Sequence, residues 1–277
     1  MSGKLYVVST PIGNLKDISL RAIEILSSVD VIACEDTRQT RKLLSHYQIK
    51  GKKTLSYNEQ NEKERAEKLV KIILDGKDVA LVSDAGTPSI SDPGYRLVQK
   101  AYEVGISVIS IPGPTAFVSA LVVSGLPTDA LFFSGFLPSK RAERIAFLQE
   151  VKSIAATLCF YETPHRLRDS LVDCLNVLGN RKAAVVREIS KVHEEVIRGD
   201  LEEIIEAIPE KVKGEIVLVI DRDRSQQKQE VSDEALVNII KSLQEKGLSR
   251  KEAIKEMARR LGLRKNQVYK IFQNFNF

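Results

Sequence analysis

Four apolar runs of five to seven residues, rich in Val and Ile, punctuate the first 115 positions: LYVVS (5–9), VDVIACE (29–35), DVALVS (78–83) and ISVISI (106–111). Helical patterns separate them. The clearest starts at Asn61-Glu62-Lys63-Glu64, a side-chain cap with an acid three residues on, carries Ala66, Leu69, Val70 and Ile73 on one face, and stops at Gly76. Continuously apolar strands alternating with helices constrain the fold strongly. They demand a mostly parallel sheet covered on both faces, because each crossover helix lies over one side.

Residues 117–225 follow another rhythm. LFFSGF (131–136), TLCFYE (157–162), AAVVREI (183–189), EEVIRG (194–199) and EIVLVI (215–220) read as strands, and a helix bearing Leu171, Leu175 and Leu178 ends at Gly179-Asn180. The third and fourth runs are too close for a crossover helix, so they should pair antiparallel within a mixed sheet. A polar linker, SQQKQE (225–230), leads to three helical patterns. Ser232 caps the first, faced by Leu236, Ile240 and Leu243. Ser249-x-x-Glu252 opens the second, faced by Ala253, Ile254, Met257 and Leu261, and Val268, Tyr269 and Phe272 anchor the third. With a tight turn at Gly262 and small Ala258 four residues earlier, this is a helix-turn-helix pattern. The expected domains are 1–116, 117–225 and a helical extension, 226–277.

Charge sets that extension apart. It holds eleven Lys/Arg and six Asp/Glu, which is the whole formal net charge of +5; the other 225 residues carry 31 of each sign. A basic appendage on a neutral body suits a polyanion, nucleic acid above all. No apolar run approaches the ~20 residues of a membrane span, and the three cysteines are odd in number and dispersed, as in a reducing compartment. A cytoplasmic location is expected. The three histidines are equally scattered, none at zinc-ligand spacing, so no metal is expected.

The first strand ends in STPIGN (9–14), the third in a long tract of small, acidic and turn-forming residues, SDAGTPSISDPG (83–94), and the fourth in IPGPTA (111–116). Open α/β sheets bind ligands at the carboxyl ends of their strands, and three such loops would rim one cleft. No G-x-G-x-x-G or G-x-x-x-x-G-K-[ST] occurs, which disfavours the usual nicotinamide and triphosphate sites. Asp84 is an acceptor for hydroxyl or amino groups; a long Gly/Pro turn is the structural alternative. YETPHR (161–166) ends a strand of the second domain and offers Glu162, His165 and Arg166. A helix-cap histidine after Pro164 and a solvated loop acid are the alternatives there.

These loops, with CEDTRQT (34–40), REISKVHEE (187–195) and GEIVLVI (214–220), resemble the ribosomal RNA methyltransferase branch of the tetrapyrrole-methylase superfamily across residues 4–222. The resemblance implies an α/β two-domain tetrapyrrole-methylase-like fold, with a mostly parallel N-terminal sheet, a mixed C-terminal sheet and the helical extension, acting as a homodimer. It implies S-adenosylmethionine as cofactor and a cytidine ribose 2′-hydroxyl of small-subunit (16S) ribosomal RNA as acceptor. By position it implies cofactor contacts from Pro11, Asp84, Ala85, Gly86, Ser89, Ile90, Thr115, Ala116, Phe160 and Tyr161. The first loop departs from the Gly-x-Gly-Pro-Gly-Asp form of porphyrin methylases, in keeping with an RNA substrate.

A ribose hydroxyl needs its proton removed as it attacks, so a base is expected at the cleft. Glu162 and His165 are the first choices, with Lys191 as a cation for developing oxyanion charge; Glu35, Asp36 and Glu188 are further strand-end acids. Arg38, Arg41, Lys140, Arg141, Arg264 and Lys265 are the expected RNA contacts. Two other readings stay open: a methyltransferase acting on carbon of a tetrapyrrole precursor, and a nucleic-acid-binding regulator that senses the cofactor without catalysis.

Overall fold

A computed structural model describes residues 2–223, 233–245, 247–261 and 265–274. Residues 1–222 form one compact unit and 223–277 another. The boundary expected at 116/117 falls inside the first unit, between its two sheets.

The first sheet is entirely parallel, built from β1 (Leu5–Val8), β2 (Val31–Cys34), β3 (Lys53–Ser56), β4 (Val79–Val82) and β5 (Val108–Ile111) in the order β3-β2-β4-β1-β5. Side chains alternate between its faces, and helices cover both. Val79 and Leu81 pack with Ala66, Leu69, Val70 and Ile73 of α3 (Glu62–Leu74) and Leu97 and Ala101 of α4 (Tyr95–Glu103). Ala80 and Val82 pack oppositely with Ala22 and Leu26 of α1 (Leu20–Ser28) and Leu44 of α2 (Thr37–His46). Two details depart from the sequence reading. β3 is an additional edge strand, and Asn61 does not cap α3 with its side chain, which instead accepts the Asn58 N–H at 3.0 Å.

After α5 (Ala116–Ser124), the second sheet comprises β6 (Leu131–Phe136), β7 (Thr157–Glu162), β8 (Lys182–Arg187), β9 (Glu195–Asp200) and β10 (Ile216–Ile220), ordered β6-β7-β10-β8-β9. β6 and β7 are parallel and the remaining pairs antiparallel, including the expected β8–β9 pair, so the sheet is mixed. One face is buried by α6 (Arg141–Val151), α7 (Leu167–Leu178) and α8 (Leu201–Ala207) around Phe160, Leu171 and Leu218. The other packs Cys159, Val186, Val217 and Val219 against Ile12 and against Ala120 and Leu121 of α5. Ile12 brings the first loop of one sheet onto the face of the other.

The second unit contains α9 (Asp233–Glu245), α10 (Arg250–Leu261) and α11 (Lys265–Asn274), joined by a core of Leu236, Ile240, Ala253, Ile254, Met257, Ala258, Val268 and Phe272. Ser249 and Glu252 form the expected reciprocal cap, with the Ser249 N–H donating to Glu252 Oε2 at 3.0 Å and the Glu252 N–H to Ser249 Oγ at 3.4 Å. Tyr269 is not a core anchor: it is 44% exposed. Ser232, Gly262, Arg264, the linker 225–230 and the side chain of Leu261 lie outside the described residues. Among the described residues no helix is long and apolar enough to cross a membrane, and no group of His, Cys, Asp or Glu is placed to hold a metal ion.

Candidate active site

The order β4-β1-β5 makes three loops neighbours, and hydrogen bonds tie them together. Thr10 and Gly86 exchange backbone bonds of 2.9 and 3.1 Å, and the Thr10 hydroxyl donates to the Ser83 carbonyl at 3.1 Å. A ladder of hydroxyls then runs across all three loops, Ser9 to Thr87 at 2.9 Å and Thr87 to Thr115 at 3.1 Å. Backbone in the left-handed region at Ser89, Ser91, Glu188 and Ser190 concentrates strain at this end of the two sheets, where Gly86 adopts the same region without that cost.

The loops close one side of a cleft of about 260 Å³. Ile12, Ala85, Gly86, Thr87, Thr115 and Ala116 line that side. Ile90, Ser91 and Asp92 turn in from the long tract, and the second sheet supplies Phe136, Tyr161, Pro164, Ile189 and Gly214 to Val217. Because β10 runs antiparallel to β7 and β8, its first residues lie beside their last: Ile216 pairs with Glu162 and with Arg187.

Of the residues expected to hold a cofactor, Ala85, Gly86, Ile90, Thr115, Ala116 and Tyr161 border this cleft. Four do not. Pro11 is buried behind the loop, and its neighbour Ile12 borders the cleft instead. Ser89 turns its hydroxyl toward Gly94, so closely that a Cβ on Gly94 would lie 2.2 Å from it. Phe160 points to the opposite face of β7, against Phe147, as the two-residue period of a strand requires once Tyr161 faces the cleft. Asp84 is exposed and accepts the Asp36 N–H at 3.1 Å.

The expected catalytic side chains are committed elsewhere. Glu162 borders the cleft, yet its carboxylate is fully buried beneath the strand end. Oε1 accepts from the Thr163 N–H at 2.7 Å and from Arg166 at 2.7 and 2.9 Å, while Oε2 accepts from the Ser170 hydroxyl at 2.5 Å. These bonds anchor the start of α7. His165 is exposed outside the cleft, with Nε2 3.4 Å from Thr163 Oγ1. Lys191 is held by Glu188 at 2.8 Å and Glu215 at 3.1 Å, and lies so close over Gly13 that a Cβ there would fall 2.3 Å from its Cγ. It positions Glu215, which borders the cleft.

Asp92 is the acid that sequence reasoning passed over, although it stands inside the tract 83–94. It borders the cleft half-buried; burial first, then the neighbouring Glu35 and Asp84 carboxylates, push its pKa up to about 6 against the pull of a Ser83 hydrogen bond. Glu35 is shifted upward for the same kinds of reason, burial first and then Asp84, whereas Asp36 is drawn down to about 2 by its hydrogen bonds with Arg38. Burial also pushes Tyr161 up to about 12, so its phenol stays a hydrogen-bond donor at neutral pH.

The expected RNA contacts fall into three places. Arg38 and Arg41 project from α2 beside Lys42 and His46, on an open surface, with Arg38 paired to Asp36. Lys140 pairs with Glu143, and Arg141 shares the buried carboxylate of Asp173 with Arg144 at 3.0 and 2.7 Å. Lys265 is exposed at the start of α11.

The chain is matched over residues 4–205 by the family of Tetrapyrrole (Corrin/Porphyrin) Methylases. It is 46% identical over 274 residues to the Ribosomal RNA small subunit methyltransferase I of Halalkalibacterium halodurans, an alignment covering 98% of this chain and 94% of that one. A second relative of the same name, from Vibrio cholerae, is 45% identical over 270 residues, 96% of this chain and 93% of that one. Among solved structures it is similar to diphthine synthase, with a TM-score of 0.64 at 16% identity, over 79% of this chain and 90% of that one. At that identity the likeness concerns the fold.

Proposed function

Because the chain belongs to the tetrapyrrole (corrin/porphyrin) methylase family, we propose that it methylates a cytidine ribose 2′-hydroxyl of small-subunit (16S) ribosomal RNA, using S-adenosylmethionine, as a cytoplasmic homodimer. The observation that carries the RNA substrate is similarity along nearly the whole chain, extension included, to proteins named for that substrate.

The cleft suits the methyl donor chemically. Small residues at Ala85, Gly86, Thr115 and Ala116 let a flat adenosyl group approach the backbone, Ile12, Ile90 and Ile189 give it apolar walls, and the carboxylates of Asp92 and Glu215 favour a cationic ligand. When bound, S-adenosylmethionine supplies a methyl group on positively charged sulfur, electrophilic without a metal. The protein then has to align the acceptor oxygen, exclude water and take a proton. Asp92 takes the proton from the ribose hydroxyl, since it is the cleft acid whose affinity for a proton is matched to neutral pH. Lys191 holds Glu215 in place, and the exposed cations of α2 meet RNA phosphates outside the cleft.

The lining also speaks against a tetrapyrrole precursor. Such molecules carry several carboxylates, while the cleft presents Asp92 and Glu215 and no Lys or Arg. Incubation with methyl-labelled cofactor and small ribosomal subunits lacking modifications, then digestion to nucleosides, tests the chemistry. Label retained on the sugar after the base is removed is expected; label on the base would overturn the ribose assignment.

A further inference from the structure

The helical extension carries a groove of about 380 Å³ between the first turns of α10 and α11, lined by Arg250, Lys251, Ile254, Lys265, Asn266 and Tyr269. Three of the six are cations and none is an acid. Both helices begin with a cation here, Arg250 and Lys265, where the macrodipole already makes a helix end positive. In α11 no acidic residue offsets it, and in α10 the first-turn acid, Glu252, is engaged by Ser249. Positive charge gathered against the dipole is compensated when an anion occupies the groove.

Cations alone would suit any polyanion, but the aromatic residue narrows the partner. Tyr269 is 44% exposed; the Arg250 guanidinium lies 5.6 Å from its ring centroid and 4.9 Å from that of buried Phe272, and the Gln273 amide donates to its hydroxyl at 3.4 Å. A partly exposed ring that shares its groove with an apolar side chain (Ile254) and an amide (Asn266) matches what an unpaired base requires, a face to stack on and a group to read its polar edge. A duplex offers phosphates and hides its base faces, so it would use the cations and leave the ring idle.

We propose that this groove receives one unpaired nucleotide of the RNA, its base on Tyr269 and the flanking phosphates on Lys251 and Lys265. The proposal deepens the RNA-methylation reading and rests on it for the identity of the nucleic acid. The test uses the full-length protein without cofactor and reads fluorescence anisotropy of a labelled 12-nucleotide single-stranded RNA of mixed sequence, beside the same sequence as duplex RNA and as duplex DNA. Loss of one stacked base corresponds to about 1–3 kcal/mol, so Tyr269→Ala should weaken single-strand binding by roughly 5- to 150-fold and duplex binding by much less. Tyr269→Phe should bind like the parent, and the circular dichroism melt of each variant reports folding. Lys251→Gln with Lys265→Gln should lower the slope of log affinity against log salt by about 1.4, two phosphates at ~0.7 each. Equal losses on strand and duplex, tighter binding to duplex DNA, or a folded Tyr269→Ala that binds normally would each overturn the groove assignment. Methyl transfer to small subunits is measured separately. Tyr269-dependent binding without any transfer would refute the methylation reading and leave the groove standing; transfer with no Tyr269 effect on binding would do the reverse.

Discussion

Replacing Glu162 with Gln separates a structural acid from a catalytic one. The amide preserves size, and its oxygen can keep the bonds from the Thr163 N–H and Arg166, while its nitrogen faces a Ser170 hydroxyl able to turn and accept. What disappears is the charge opposite Arg166. Removing one member of a fully buried ion pair costs about 3–5 kcal/mol. Arg166 keeps 19% of its side-chain surface exposed and can recover some hydration, and the geometry survives, so about 2 kcal/mol is expected. With a urea slope of about 3 kcal/mol/M, the unfolding midpoint followed by far-ultraviolet dichroism should fall by roughly 0.7 M. Methyl transfer at 25 °C by the folded variant should stay within about threefold of the parent, because the carboxylate is closed off beneath the strand end. A general base contributes about 10²- to 10⁴-fold. A loss of a hundredfold with an unmoved midpoint would refute the reasoning and return Glu162 to the chemistry.

Three further substitutions probe neighbouring contacts. Thr87→Val keeps the shape of the side chain but removes the middle rung between Ser9 and Thr115; two bonds at about 1 kcal/mol each predict a stability loss of about 2 kcal/mol in urea titration and weaker cofactor binding by calorimetry, with Thr87→Ser restoring both. Asp92→Asn should stabilise the fold at neutral pH: an acid whose folded pKa, about 6, exceeds its unfolded value near 4 opposes folding once ionised, so the gain in melting temperature should be full above pH 6 and vanish below about pH 4. In the same variant, transfer should fall at least about a hundredfold while cofactor affinity changes far less. Gly214→Ala places a Cβ 2.5 Å from the Glu188 side chain on backbone with φ +93°, so it should destabilise by at least ~1–2 kcal/mol in thermal melts.

The architecture was legible where burial leaves a pattern. β1, β2, β4 and β5 appear as apolar runs because helices cover both faces of their sheet, and the three loops could be assigned to one end of it from their composition. β3 was hidden because KTLS is a four-residue edge strand, its first residue exposed and its others half-buried, with no apolar period to betray it. Within the loops, composition identifies a ligand-binding tract but not which side chains face inward. Left-handed backbone at Ser89 and Ser91 turns the chain so that Asp92, and not Ser89, reaches the cleft, and such turns leave no mark in composition. Phe160 and Tyr161 were indistinguishable for a related reason: adjacent strand residues face opposite ways, and both faces of this sheet are buried. The buried partners of Glu162 were equally hidden. They come from the turn between β7 and α7, which folds Arg166 and Ser170 back onto the carboxylate, and neither strand nor helix periodicity announces that turn.

The most direct test of the account compares two acceptors of methyl label. Purified protein with tritiated S-adenosylmethionine is offered small ribosomal subunits lacking modifications and, in parallel, a carboxylate-bearing tetrapyrrole precursor. Incorporation into a single cytidine ribose of the subunit RNA, absent from the tetrapyrrole and lost in Asp92→Asn with cofactor binding retained, is the predicted result. Label in the tetrapyrrole, or none in subunits or free RNA despite measurable cofactor binding, would contradict it.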